Sequence, residues 1–267
     1  LIKTKKKKIC LIHSKEINHE KRTNLNKRVL NVLNNVDVVV SNSKFTKNLA
    51  IKCGVDESKI IVINPGINPI QELNKKSQDK VERLLKQKSP RLITISRYDK
   101  RKNHEKVIMA LRNLKQIYPS IVYICVGKGD EEENIKKIVK ELDLEEQVMF
   151  FKDISNELKN SLLSKSDIFV MPSIIYKKSV EGFGISYIEA AQYGVPSIGG
   201  ADGGAADAID DKKTGLISDG NNLDAIYSSI SSMLENNKYL EYGKAAKENS
   251  NRFKWYKIIE EYKKILA

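Results

Sequence analysis

The feature that most constrains this chain is an alternation that runs almost end to end. Short apolar runs exchange with longer stretches of helical period. Ile9 to His13, Val36 to Ser41 and Lys59 to Asn64 are the first three runs. Arg91 to Ser96, Ile121 to Gly127, Gln147 to Phe151, Asp167 to Pro172 and Pro196 to Gly199 follow, with a short run near Gly215. Runs of this length, apolar throughout and bounded by turn residues, suit strands buried on both faces. Between them the period changes. Val107, Leu111, Leu114 and Tyr118 share one face of a helix over 102–118, and Ser43 and Gly54 suit the cap and the stop of a helix over 44–52. Further helices are expected over 21–34, 131–142, 155–164, 222–235, 238–249 and 253–266, with a short one after Gly184. Strand and helix in strict exchange predict an α/β protein of parallel βαβ units with a doubly wound sheet. Residues 68–90 are polar, with Pro69 and Pro90. They read as a connection between two α/β halves, with 79–87 as a candidate helix.

Doubly wound sheets bind ligands at the carboxyl ends of their strands, so the loops after the strands are where chemistry is expected. In Ser96-Arg-Tyr-Asp-Lys-Arg-Lys-Asn-His104, Arg97 and Lys102 flank a turn. A guanidinium fork beside an ammonium point charge suits a diphosphate, although a solvated basic loop would look similar. Gly127-Lys-Gly129 resembles a phosphate-cradling turn, or a tight turn that needs glycine for its own sake. The turn Phe151-Lys-Asp-Ile-Ser155 offers backbone that could pair with a planar base, at Ile154. The richest stretch is Ser179 to Gly199. Gly182 and Gly184 open it, a helix follows, and Glu181 and Glu189 lie eight residues apart. Amides and a helix N-terminus beside two carboxylates suit an anionic, hydroxyl-rich ligand. A capping carboxylate and a solvated helix face would give the same spacing.

Charge adds a partner class. Lys and Arg number 47 against 34 Asp and Glu, a net +13. Residues 1–30 hold ten of the bases (among them Lys3, Lys5, Lys6, Lys7 and Lys8) against Glu16 and Glu20, about +8 of that excess. A basic face favours anionic partners, here a peripheral contact with an anionic membrane. The bases are not interleaved with aromatics as a single-strand platform needs, so nucleic acid is not expected. No apolar run reaches the roughly 18 residues of a membrane span, and no signal-peptide pattern opens the chain, which points to the cytoplasm. Cys10, Cys53 and Cys125 lie far apart, are expected to be reduced and offer no metal spacing. No Asp-x-Asp occurs, and no metal or cofactor is implied.

Several of these loops, in one order, resemble glycosyltransferase family 4, the retaining, nucleotide-sugar-dependent transferases of the GT-B fold. Val180 through Gly199 resembles the family signature. Ser96-Arg97 with Lys102 resembles its Gly-Arg…Lys-Gly element and Val126-Gly-Lys-Gly-Asp130 its Gly-x-Gly turn. Asp167 through Ser173, Gly203-Gly204 with Thr214-Gly215, and Asn251 through Trp255 match later elements, while Asp37 to Ser41 and Ile63 to Asn68 resemble the end of its first domain. Three departures stand out. Ser96 and Asn103 replace glycines, Lys152 stands where glycine is common, and the family's opening glycine-rich loop and first βα units have no counterpart. The resemblance implies a GT-B type fold: a complete, doubly wound Rossmann-like C-terminal domain plus a partial N-terminal Rossmann-like domain. The units would be 1–72 on the acceptor side, a linker at 73–90, donor binding at 91–250, and a helix crossing back at 251–267. It implies metal-independent transfer of a hexosyl unit from a nucleotide-diphosphate sugar to a glycan or lipid-linked acceptor, with a weak lean to mannose. Arg97 and Lys102 would hold the diphosphate. Glu181 and His13 would lie near the sugar, Glu189 on the ribose, and Gly127, Gly129, Ile154, Phe183, Gly184 and Ile185 around the donor. A catalytically inactive nucleotide-sugar-binding module and a GT-B-type sugar-nucleotide epimerase are the competing readings.

Overall fold

A computed structural model describes residues 6–19 and 23–266. Lys3, Lys5, Lys21 and Arg22, part of the basic start, and the first residues of the helix expected from 21 lie outside the described residues. The elements are β1 (Ile9–Ile12), α1 (Asn24–Asn34), β2 (Val38–Ser41), α2 (Lys44–Cys53), β3 (Ile60–Val62) and α3 (Lys75–Leu84). Then come β4 (Arg91–Ile95), α4 (His104–Ile117), β5 (Val122–Val126), α5 (Glu132–Glu141), β6 (Val148–Phe151), α6 (Asn156–Ser164) and β7 (Ile168–Met171). The last are α7 (Ile185–Gln192), β8 (Ser197–Gly200), α8 (Ala205–Ala208), β9 (Gly215–Ser218), α9 (Leu223–Leu234), α10 (Lys238–Ser250) and α11 (Trp255–Leu266).

The strands form two parallel sheets, ordered β1-β2-β3 and β6-β5-β4-β7-β8-β9. In the larger sheet the chain winds outward from β4 to β6, then returns to β7 beside β4 and winds the other way. Leu92 and Ile93 of β4 lie opposite Ile168 and Phe169 of β7. The reversal falls between these two strands, and a crevice opens beyond their carboxyl ends. The loops at that crevice are 96–103 and 172–184.

Neighbouring residues of each central strand feed opposite cores, as the two-residue period requires. Ile93, Ile124, Phe169 and Met171 pack with Val81 and Leu85 around α3, with Leu162 of α6 and with Tyr187 and Ile188 of α7. Leu92, Tyr123, Cys125, Ile168 and Val170 pack with Leu111 of α4, Val139 of α5 and Ile230 of α9. The smaller sheet is covered by α1 and α2 on one face. On the other, Val40 and Ile63 meet Ile258 and Ile265 of α11, so the last helix crosses back from the larger unit. At the crossing, Ile67 N–H donates to the Phe253 carbonyl at 2.8 Å.

Several boundaries differ from those read in the sequence. The helix in the polar connection runs 75–84 rather than 79–87, and Val81 and Leu85 are fully buried under the larger sheet. The short helix α8 was not anticipated; its start lies tight against the loop before α7, where a Cβ on Gly204 would come within 2.1 Å of the Gly182 carbonyl oxygen. Ser43 and Gly54 cap α2 as expected, with Gly54 at φ 105°. No helix among the described residues is long and apolar enough to cross a membrane.

Helix α10 packs on α7, and one glycine sets the closeness of that contact. A Cβ on Gly243 would lie 2.1 Å from the Gly194 carbonyl oxygen. Helix propensity alone favours alanine here by about 1 kcal/mol. Overpacking against a fixed carbonyl costs about 1–3 kcal/mol, and at 2.1 Å it wins. Gly243→Ala is therefore expected to destabilise the protein, read as a lower urea midpoint; an unchanged or higher midpoint would show that α10 can move off α7 at no cost.

Candidate active site

The loop after β4 is held from below by β5. Tyr98 is buried, its hydroxyl donates to the Cys125 carbonyl at 2.9 Å and its N–H to the Lys128 carbonyl at 3.0 Å. The two glycines of the β5 loop make that approach possible. A Cβ on Gly127, which sits at φ 149°, would fall 1.9 Å from the Ser96 carbonyl oxygen, and one on Gly129 2.3 Å from that of Tyr98. Asp99 then caps a single 3-10 turn, Lys100–Lys102, accepting the Lys102 N–H at 3.2 Å. Asn103 ends the turn in the left-handed region, and its side-chain amide donates to the carbonyls of Pro172 and Gly220 at 2.9 and 2.8 Å. This turn leaves Lys100 at the surface and sends Arg101 and Lys102 inward.

Both inward cations meet Glu181. Arg101 Nη1 donates to Glu181 Oε2 at 2.8 Å, and Lys102 Nζ forms an ion pair with the same oxygen. The three side chains are only about a tenth exposed. Arg101 Nη2 lies 3.9 Å from Asp99 Oδ2, and that oxygen is 3.0 Å from Nη2 of Arg97. The result is a row of alternating charge: Arg97, Asp99, Arg101, Glu181, Lys102. It runs from a guanidinium 75% exposed to an ammonium 11% exposed. Burial alone would raise the Glu181 carboxyl, but Lys102 first and Arg101 second hold it below its ordinary value. Burial pushes the Lys102 ammonium down, and Glu181 opposes that shift.

Glu181 also ties together the ends of several strands. Its carbonyl accepts from Gly204 N–H at 2.8 Å, and it bridges Gly203 in the loop after β8. The next residue, Gly182, closes on the smaller sheet, where a Cβ would come within 2.5 Å of the His13 carbonyl oxygen. His13 is exposed, just beyond the end of β1, and its N–H donates to Glu16. Phe183 is buried edge-on to Phe253, with ring centres 5.6 Å apart. Gly184, at φ 92°, turns the chain into α7, and a Cβ there would strike the Tyr187 ring at 2.4 Å.

Helix α7 points its N-terminus into this crevice, and the first N–H groups of a helix have no partner within it. Ile185 and Glu189 on its outer face line a cavity of about 380 Å³. Lys159 and Asn160 of α6 form another wall, with Asn68 and Trp255 opposite. Glu189 is 40% exposed, with Lys159 Nζ 3.9 Å away. Gln192 spans the floor, donating to the Asn68 carbonyl at 2.9 Å. Ile154 packs at the margin of the core below.

Seven of the expected residues fall into three groups. Lys102 and Glu181 touch. Ile185 and Glu189 share the cavity. Arg97 keeps its side chain in solvent on Asp99, while Gly127 and Gly129 shape the Arg97–Lys102 loop from below. Arg101, which the sequence reading passed over, is the most buried cation of the cluster. His104, beneath the same loop, is fully buried. Its Nε2 lies 3.0 Å from Ser96 Oγ and its Nδ1 2.9 Å from the Tyr123 hydroxyl, which is 2.7 Å from Thr94 Oγ1. Burial, with Lys102 adding to it, pushes the imidazole down to about 3, so it is neutral and fixes the end of β4 through one donor and one acceptor.

Comparison with known proteins gives the chain a family and a shared fold. Residues 75–251 match the family described as glycosyl transferases group 1, and residues 1–71 match glycosyltransferase family 4. A GDP-mannose-dependent alpha-(1-6)-phosphatidylinositol monomannoside mannosyltransferase of Mycolicibacterium smegmatis is 33% identical over 147 residues, 54% of this chain and 38% of the relative. An uncharacterized glycosyltransferase of Methanocaldococcus jannaschii is 28% identical over 237 residues, 88% of this chain and 59% of the relative. The chain thus spans between 38% and 59% of the length of these two relatives. The crystal structure of Anabaena HepE in complex with UDP superposes with a TM-score of 0.84 at 19% identity, over 97% of this chain and 71% of that one, which shows a shared GT-B fold.

The buried imidazole gives a signed pH dependence. The folded value of about 3 lies below an unfolded value of about 6.5, so the unfolded chain binds the proton first. The stability that this site contributes is complete above about pH 6.5 and falls as the pH drops towards 3, by at most about 1.4 kcal/mol per pH unit. His104→Gln is expected to be less stable at pH 7 and to lose less between pH 6.5 and 4. Urea midpoints across that range check it, and parallel pH profiles for both proteins would refute it.

Proposed function

The chain belongs to the glycosyl transferases group 1 family, and from that premise we propose that it serves a retaining, metal-independent glycosyltransferase. A hexosyl unit would pass from a nucleotide-diphosphate sugar to a glycan or lipid-linked acceptor. The observation that carries the reading is the buried Arg101–Glu181–Lys102 cluster at the reversal point of the sheet. It stands just before α7, whose Ile185 and Glu189 line a cavity.

In this reading the nucleoside lies in the cavity, with its ribose hydroxyls donating to Glu189. The diphosphate meets Lys102, Arg97 swung in from solvent, and the amides of Phe183, Gly184 and Ile185. Breaking the glycosyl–phosphate bond leaves negative charge on the phosphate, and fixed cations and amide dipoles lower that barrier. They supply the charge that a metal supplies in other transferases. Glu181 accepts from sugar hydroxyls, and His13, across the crevice on the smaller sheet, lies on the acceptor side. Retention follows if the acceptor attacks from the face that the phosphate leaves, with the departing phosphate taking its proton.

The donor leans to GDP-mannose on two grounds: the Ser179-to-Gly184 wording and the mannosyltransferase named above. That relative acts on a phosphatidylinositol mannoside, which favours a lipid-linked acceptor and agrees with a peripheral membrane contact through the basic start of the chain, on the cytoplasmic side. Binding without transfer is the second reading, and assay separates it.

A thermal screen of UDP-, GDP- and ADP-sugars tests the proposal. One base class is expected to raise the Tm, by the equivalent of about 2.7 kcal/mol at a hundredfold excess over Kd. Glu189→Ala and Lys102→Ala are each expected to remove most of that shift, and Arg97→Ala a smaller part. No shift with any donor would overturn the reading. A shift without turnover towards glycolipid or glycan acceptors would leave the binding module.

A further inference from the structure

Among the described residues, Arg101 is the one buried cation that the donor reading leaves without a task. It lies 2.8 Å from Glu181 Oε2, is about nine-tenths buried and turns its second nitrogen towards Asp99. Its backbone is engaged separately, the carbonyl accepting from Ile174 N–H at 2.9 Å, so the side chain is free to serve Glu181. Lys102 has a different character. It is a single charge with three donors on a flexible stem, and it stands at the reversal point where a diphosphate would arrive.

We propose that Arg101 is a positioning residue, the permanent counter-ion of Glu181, and that it frees Lys102 to transfer from Glu181 to the diphosphate of the donor. The inference rests on the donor-site reading above. Without Arg101, the arrival of a diphosphate would set a buried carboxylate against another anion just as its only other cation was drawn away. Like charge and burial both favour the protonated acid, and a protonated Glu181 would lose acceptor capacity for sugar hydroxyls. Arg101 keeps the carboxylate ionised and its orientation fixed. Both cations bond Oε2, which leaves Oε1 for the ligand. The fork geometry matters, because one guanidinium faces Glu181 and Asp99 together. Asp99 in turn is held by Arg97 and caps the turn that carries Lys102. The groups facing Glu181 are Arg101 and Lys102 from the β4 loop, with Asp99 behind them, and Tyr187 from α7.

The test follows the Glu181 carboxyl carbon by ¹³C NMR on the full chain labelled at glutamate, assigned with Glu181→Gln. It is titrated alone and with saturating UDP, GDP or ADP. Wild type is expected to keep Glu181 ionised down to pH 4.5 in both states. R101Q is expected to show the Glu181 titration moved up only modestly without nucleotide, because Lys102 remains, and moved up much further when nucleotide is bound. Arg101→Lys is expected to restore the wild-type curve in part, since the charge returns without the fork. Where the raised pKa lies one unit above the assay pH, the ionised fraction and kcat fall about tenfold, with KM for the donor changed far less. Circular dichroism checks each fold, and Arg101→Met replaces R101Q should the latter not fold. A bound-state titration of R101Q identical to wild type overturns the inference while leaving the donor site intact. A wild-type Glu181 signal that ignores all three nucleotides overturns the donor reading and this inference with it.

Discussion

One carboxylate, shared by two cations, holds the crevice together. Glu181 Oε2 takes Arg101 and Lys102 from the loop after β4, the Glu181 carbonyl takes Gly204 from the loop after β8, and the glycine that follows it lies against the end of β1 in the other sheet. Three strand ends therefore converge on one residue. A pair this buried adds little net stability over an apolar replacement, but removing one member costs about 3–5 kcal/mol because the other is stranded. Its value is positional: the charges stay where the sheet reversal opens, and they are already desolvated before any ligand arrives.

Around that point the backbone does most of the shaping. Gly127 and Gly129 let the β5 loop press on the β4 loop, and Gly182 and Gly204 let the two sheets and the loop before α7 approach closely. Gly184 turns α7 so that its N-terminus faces the crevice and Glu189 faces the cavity. Beneath them a neutral His104 joins Ser96 to Tyr123. The cations grade from Arg97, exposed at the rim, to Arg101 and Lys102, buried within. Such a gradient suits a site that must first attract an anion and then take it out of water.

The period of the sequence was enough to read the parallel sheets, the helices and the loops that carry charge, because strand ends and turn glycines leave local marks. Lys102, Glu181 and Glu189 could be singled out for the same reason. Arg101 could not. Three bases in a row, Lys100, Arg101 and Lys102, carry no local sign of which one turns inward. That depends on a single 3-10 turn capped by Asp99 and ended by Asn103, and on a glutamate some 80 residues away. The glycines were visible, but their reason was not: carbonyls from other loops occupy the space that a side chain would need. The polar connection misled for a related reason, since α3 shows few apolar residues and buries Val81 and Leu85 on contacts distant in sequence.

The most direct measurement is a crystal structure of the chain with a nucleoside diphosphate bound. The diphosphate is expected within hydrogen-bond distance of Lys102 Nζ and the amides before α7, with the ribose on Glu189 and Glu181 still paired with Arg101. A nucleotide seated away from the β4–β7 crevice, or a Glu181 that abandons Arg101 while Lys102 stays with it, would contradict the account.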